Sequence, residues 1–290
     1  MSNSSNKIAG KRKKILSIIG AIAVPMFGYF IYESIFYVST DNAQVQAHTL
    51  MLSSKVSGFV VKVNVEENQK VKAGDVLVEI SPQDFQNSIA QSEGDLGSLQ
   101  ARARDAQLNF KRIADLYKQG AVSQQQYDSA EATARELDRK LKGSQAQVEQ
   151  AKLNLSYTQV RAPSDGVIAR KAVEVGMLAP VGQPLMGFVA SSDRWVTANF
   201  KETELRSIAP GKGVHVEVDA IPGRRFEGVV ESLSPSTGAT FSLLPPDNAT
   251  GNFTKVVQRV PVRIKLTGLT ADDIDRLHAG LSAYVSVRVR

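Results

Sequence analysis

The sequence predicts a mostly β fold with a long α-helical coiled-coil hairpin, an N-terminal transmembrane helix, a split β-sandwich and a C-terminal β-barrel. Three observations carry that expectation. "VSGFVVKVNVEENQKVKAGDVL", residues 56–77, returns as "SDGVIARKAVEVGMLAPVGQPL", residues 164–185. At this offset of 108, Gly58 falls on Gly166, Val65 on Val173, Glu66 on Glu174, Gly74 on Gly182 and Leu77 on Leu185. Between the copies, apolar and small residues recur at alternating spacings of three and four. Beyond residue 190, apolar and polar residues alternate in short runs, the period of half-buried strands.

Each repeat holds about four short Val-rich strands broken by turn sequences such as "KAGD", "SDG" and "PVGQP". Four such strands are too few to bury both faces. Two copies packed together make one small sandwich, assigned to residues 53–81 and 159–190. The insertion between them, residues 82–158, has two heptad seams. One runs from Ile89 through Leu96, Leu99, Ala103 and Phe110 to Ile113 and Tyr117; the other runs from Tyr127 through Ala134, Leu141 and Val148 to Leu155. Ser81-Pro82-Gln83-Asp84 offers a capping hydroxyl, a proline at the first helical position and an acid in the first turn. Gly120 supplies a C-terminal stop, and Ser123-Gln124-Gln125-Gln126 is a capping box for the return helix. The result is an antiparallel hairpin with its tip at residues 119–123, about 50 Å long at 1.5 Å per residue. Gly94, Gly97 and Gly143 lie off the seam and weaken the helices.

The third texture, with strands such as "DRWVTANF", "VHVEVDAI", "FEGVVESLS" and "AYVSVRVR", predicts a barrel of five or six strands. "KETELRSI" reads as a short helix, and "NAQVQAHTLML" supplies a missing strand. The barrel is therefore assigned to residues 39–52 and 191–290. Residues 236–252 form a long irregular connection containing Phe241, Leu243 and Leu244 before two prolines. Either these apolar side chains plug the barrel end, or they face the membrane or a transporter.

Residues 15–32 carry no charge and follow a basic tail, residues 1–14, that contains five Lys or Arg and no acid. The span assigned to residues 15–38 is long enough to cross a bilayer, and the basic flank puts the N-terminus in the cytoplasm. A cleaved signal peptide ending near Ala23 is the alternative. The net charge of +6 falls almost wholly on that tail, leaving +1 elsewhere, so no basic stripe remains for nucleic acid. No cysteine is present, which excludes disulfides and thiolate chemistry. His48, His215 and His278 are scattered, and no nucleophile, phosphate-loop or paired-carboxylate pattern occurs. No catalytic residue, cofactor or metal site is expected, and the chain does not read as an enzyme.

The duplicated half-sandwich resembles the lipoyl and biotinyl carrier domains, but no lysine lies between Lys72 and Lys111, so the modified residue of a carrier is missing. The whole arrangement, with "TDNAQVQA", "VTANFKETEL" and "PSTGATFSLLPPDNATGNFTKVVQRVPVRI", is similar to the membrane fusion proteins, in the EmrA-type branch of the HlyD family. That resemblance implies a periplasmic adaptor of a tripartite efflux pump, held in the inner membrane by a single span. Its implied partners are a major-facilitator drug exporter, a TolC-like outer-membrane channel and further copies of itself, as a trimer or hexamer. An adaptor for an ABC-type secretion system or an aromatic-acid exporter is the alternative. The spacing of Arg112, Leu116 and Ser123 resembles the Arg-Leu-Ser pattern with which such adaptors meet channel tips, so these three are the expected docking residues.

Overall fold

A computed structural model describes residues 36–238, 240 and 256–289. The basic tail, nearly all of the expected span, and Phe241, Leu243 and Leu244 lie outside the described residues. Among the described residues, no helix is long and apolar enough to cross a membrane. In chain order, strands β1 (Tyr37–Ser53), β2 (Gly58–Val63), β3 (Lys70–Val71) and β4 (Val76–Ile80) precede two long helices, Gln83–Lys118 and Gln124–Ser156. Then follow β5 (Gln159–Arg161), β6 (Gly166–Lys171), β7 (Leu178–Ala179), β8 (Pro184–Lys201), β9 (Gly213–Val218), β10 (Arg225–Leu233), β11 (Arg259–Thr267) and β12 (Ser282–Arg288). The chain divides into two compact units, residues 49–191 in one, and residues up to 48 with 192–290 in the other.

In the first unit the sequence repeat is a structural repeat. Adding 108 to the bounds of β2 gives those of β6, and adding it to β3 gives β7. The pairing is exchanged between copies. Gly58 faces Ala179 and Phe59 faces Leu178, while the same positions in the other copy give Gly166 facing Val71 and Val167 facing Lys70. Hydrogen bonds obey the same symmetry: the Val60 N–H donates to the Met177 carbonyl, and the Ile168 N–H donates to the Gln69 carbonyl. Each copy thus completes the other's sheet. Val60, Leu77, Ile80, Ile168, Leu185 and Phe188 are almost wholly buried between the sheets. A tight turn in each copy needs left-handed backbone, supplied by Gly74 (φ 86°) and Gly182 (φ 83°).

β4 pairs with β5, with Glu79 facing Gln159, and the Ile80 N–H donates to the Thr158 carbonyl. The two ends of the helical hairpin are therefore clamped side by side. That is why so long an insertion leaves the sandwich whole.

In the second unit, β1-β12-β9-β10-β11-β8 are six consecutive strands of an eight-stranded sheet whose order continues through β6 and β3, and a further β1–β8 pairing closes the six into a barrel. Tyr37 to Gln44 pair with Arg288 to Ser282, so the segment preceding the repeat is indeed the missing strand. Alternating inward residues, including Val45, Val196, Phe200, Val216, Ile264 and Val285, fill the interior. The expected helix in "KETELRSI" is only a single 3-10 turn, Leu205–Ser207.

A six-residue helix, Ala271–Arg276, was not expected from the sequence. Its start is fixed by Thr270 and Asp273, whose side chains each accept from the other's backbone N–H. Asp273 is buried at 1% exposure and also accepts from Arg224 Nη2 at 2.5 Å. The Thr270 backbone N–H is the main cause holding this carboxyl below its ordinary range; the Thr270 hydroxyl, Arg224 and Arg276 add to it, and burial opposes them. A lowered folded-state pKa gives stability that is present above the ordinary carboxylate range and lost as pH falls through the folded value. Thermal unfolding followed from neutral pH to about pH 3 should therefore lose less stability in Asp273→Asn than in the parent over the acid limb.

Candidate functional site at the hairpin tip

The helices of 36 and 33 residues pack along the predicted seam. Ala103, Ala134, Ser144, Val148 and Ala151 are buried there, and Leu96, Leu99, Leu137 and Leu141 are half-buried. Small residues at the seam let the backbones approach, so the pair is stabilised by contact along its length. Ion pairs decorate the outside, among them Lys140 with Glu136 at 2.6 Å and Lys152 with Glu93 at 3.2 Å. Lys140, by its hydrogen bond and its charge, holds the Glu136 carboxyl below its ordinary range. Such exposed pairs add little stability.

One expected cap is absent. The first helix starts after Pro82, which occupies the N-cap position without a side-chain bond. Ser81 is still tied into the sandwich, because its N–H donates to the Phe59 carbonyl. Its hydroxyl is therefore one residue too early to cap. The return helix begins as expected: the Ser123 Oγ accepts from the Gln126 N–H, and the Gln126 Oε1 accepts from the Ser123 N–H. Gly120 takes φ 72°, and its N–H and that of Gln119 bond back to the Tyr117 and Leu116 carbonyls.

Toward the tip, an aromatic cluster joins the helices. Tyr127 lies 5.5 Å from Phe110 and 5.0 Å from Tyr117, centroid to centroid. Leu116 is half-buried beside the seam, as the spacing leaves it, and the seam residue Tyr117 keeps its ring contact with Tyr127 at 39% exposure. At the turn the Leu116 carbonyl accepts from both the Gln119 and Ala121 N–H groups.

Arg112 is exposed one turn before Leu116, and Ser123 is exposed at the start of the return helix. Arg112 makes no ion pair among the described residues, while Asp115 is engaged by Lys118 at 3.5 Å. The tip therefore offers a guanidinium, part of a leucine and a helix-capping hydroxyl. A groove of about 610 Å³ runs down from Ser123, lined by Asn109, Ile113, Gln126, Ser129 and Thr133 among others. The sequence reading did not include this groove, although its hydroxyl and amide side chains interrupt an otherwise charge-rich surface. Its chemistry suits hydrogen bonding to another protein's helices. No group of His, Cys, Asp and Glu among the described residues is placed to hold a metal.

Comparison with known proteins bears on the family and the fold. A family model for the barrel-sandwich hybrid domain of RND membrane fusion proteins matches residues 48–191, and a CusB-like β-barrel model matches residues 194–240. The multidrug export protein EmrA of Haemophilus influenzae is 33% identical over 341 aligned positions, covering 99% of this chain and 87% of that protein. Those positions outnumber the 290 residues here, so that relative carries segments this chain lacks. The colistin resistance protein EmrA of Acinetobacter baumannii is 31% identical, covering 96% of each chain. The membrane fusion protein Spr0693 of Streptococcus pneumoniae R6 shares the fold at 17% identity, with a TM-score of 0.64 over 88% of this chain and 99% of that one.

Proposed function

This chain belongs to the membrane fusion protein family, in its EmrA-type branch, and on that premise we propose that it is the periplasmic adaptor of a tripartite efflux pump. The family is one of adaptors, not enzymes. A single span over residues 15–38 anchors the chain in the inner membrane, with the basic tail in the cytoplasm. The inner-membrane partner is a major-facilitator drug exporter, which Phe241, Leu243 and Leu244 help to contact. The hairpin tip meets a TolC-like channel through Arg112, Leu116 and Ser123. Several copies, a trimer or a hexamer, form the working adaptor.

The tip is the observation that carries this reading. A hairpin of two long helices carries near its tip a guanidinium with no ion-pair partner among the described residues, a half-exposed leucine, and a capping serine at the start of the return helix. In this reading Arg112 donates to the channel's carbonyls or carboxylates, Leu116 fills an apolar notch and Ser123 hydrogen-bonds across. The test starts with topology. A periplasm-active reporter fused after Arg290 should be active, and one fused near Asn6 should be silent. The same tagged chain, cross-linked in cells, should recover a polytopic exporter without a nucleotide-binding subunit. A reversed reporter pattern, or recovery of such a subunit, overturns the reading.

A further inference from the structure

Outside the basic tail the chain is almost neutral, yet the barrel sorts its charge by end. One rim holds the starts of β1, β9 and β11 and the finishes of β8, β10 and β12. The register fixes this: Tyr37 faces Arg288, Val214 faces Val287, Gly213 faces Val229 and Arg259 faces Lys201. Lys201, Arg259 and Arg288 are strand-end residues there, and Arg206 and Lys212 lie on the link from β8 to β9. Among the described residues the acids of this rim are Glu202 and Glu204, on the same link. Lys201 engages Glu204 at 3.7 Å, and no ion pair reaches Arg206 or Arg259 among the described residues. Lys212 and Arg259 donate to the carbonyls of Val289 and Asn199, contacts that leave their charge uncompensated.

The other rim has the opposite bias. On the links 219–224 and 268–281 that close it, Asp219, Asp272, Asp273 and Asp275 outnumber Arg224 and Arg276. Both of those arginines are paired with acids, Arg224 with Asp273 and Arg276 with Asp272. Connectivity says what the basic rim faces. On the anchor reading, β1 begins at Tyr37, inside the range 15–38 assigned to the span, so no linker separates this rim from the bilayer. Val256 and Val257, just ahead of Arg259, are 65% and 47% exposed. Cations interleaved with exposed apolar side chains suit a surface of anionic headgroups over acyl chains.

We propose that this rim rests on the headgroups of anionic phospholipids, with Lys201, Arg206 and Arg259 facing lipid phosphates. The proposal rests on the reading of residues 15–38 as a membrane span. A single tether through β1 fixes the height of the barrel and leaves its tilt free. Charges spread over β8, β11 and the β8–β9 link fix the tilt. Salt screens such attraction beyond about 10 Å at 0.1 M, so it acts only on a rim tethered as closely as this one.

The chain has no cysteine, so a single probe can be placed at either rim. Full-length chains carrying Ser207→Cys on the basic rim, or Asp219→Cys on the other, are labelled with a fluorophore. They are reconstituted in nanodiscs whose lipids include a headgroup spin-label quencher. Discs of phosphatidylcholine are compared with discs of phosphatidylcholine and phosphatidylglycerol in equal parts. Quenching of the Ser207 probe is expected to roughly double in the anionic discs and to fall back at high salt. Arg206→Gln with Arg259→Gln should return it to the phosphatidylcholine level without moving the circular dichroism melt. The Asp219 probe should stay bright throughout. Equal quenching in both discs would mean that the tether alone sets the contact and would overturn the proposal, as would full quenching in the double variant. No quenching in a chain that co-elutes with the discs would turn the rim away from lipid and leave the anchor standing. A Ser207 probe unquenched in discs but shielded from a soluble quencher in native membranes would assign the rim to a protein partner instead. A chain that does not enter discs at all would overturn the anchor and the proposal together.

Discussion

Replacing Leu116 by serine together with Arg112 by aspartate is expected to abolish drug export and cross-linking to the outer-membrane channel. Helicity should be unchanged, and the folding free energy should move by no more than about 1 kcal/mol, because Arg112 is exposed and Leu116 only half-buried. Export is read as drug tolerance in a strain lacking the chromosomal adaptor, and folding as the circular dichroism melt of the purified chain. Survival of export in a folded double variant would remove the tip as the docking site. Ser123→Ala is a poor substitute, because it also removes a cap worth about 1 kcal/mol. Ser123→Asn keeps an oxygen able to accept from the Gln126 N–H and so separates capping from contact.

The largest effect on stability is expected at Gly166. A Cβ built there would lie 2.3 Å from Phe188 Cζ and 2.5 Å from the Val189 carbonyl oxygen. Phe188 is 1% exposed, and Val189 pairs with Val167, so neither neighbour can move aside. Gly166→Ala should cost about 3 kcal/mol or more, at the upper end of overpacking penalties. Gly94, Gly97 and Gly143 have nothing within 4 Å of the same built atom. Alanine at any of these helical positions should add roughly 0.5–1 kcal/mol. Urea titration of the four variants checks both signs. A Gly166→Ala chain as stable as its parent would mean that β6 and β8 do not approach at this position as closely as described.

The parts of this fold that were legible in the sequence are those carried by local period and self-similarity. The repeat announced the sandwich, and the threes and fours placed Ala103, Ala134 and Val148 in the hairpin seam, where they are buried. The exchange of β3 and β7 between copies was not legible, because either copy could have paired its own strands with the same residues. Barrel closure by β1 against β8 escaped for the same reason: contact between distant segments leaves no periodic trace. The helix at Ala271–Arg276 was missed because its capping box uses aspartate at Asp273 where glutamate or glutamine is the usual signal. At the candidate site, the Ser123 capping box was readable from the Gln126 spacing. The turn bonds from the Gln119 and Ala121 N–H groups to the Leu116 carbonyl were not, because they belong to no periodic pattern.

The clamp between β4 and β5 has a consequence for how such chains can diversify. Closing a flexible loop of several dozen residues costs conformational entropy that grows with its length. A hairpin whose two ends are held by Glu79 facing Gln159 presents the sandwich with almost the same closure problem whether its arms are long or short. Adding or removing one matched heptad from each arm would shift the tip by about 10 Å and leave the seam in phase. Reach is thus a dimension that this architecture can change by whole steps, independently of the sandwich that folds beneath it.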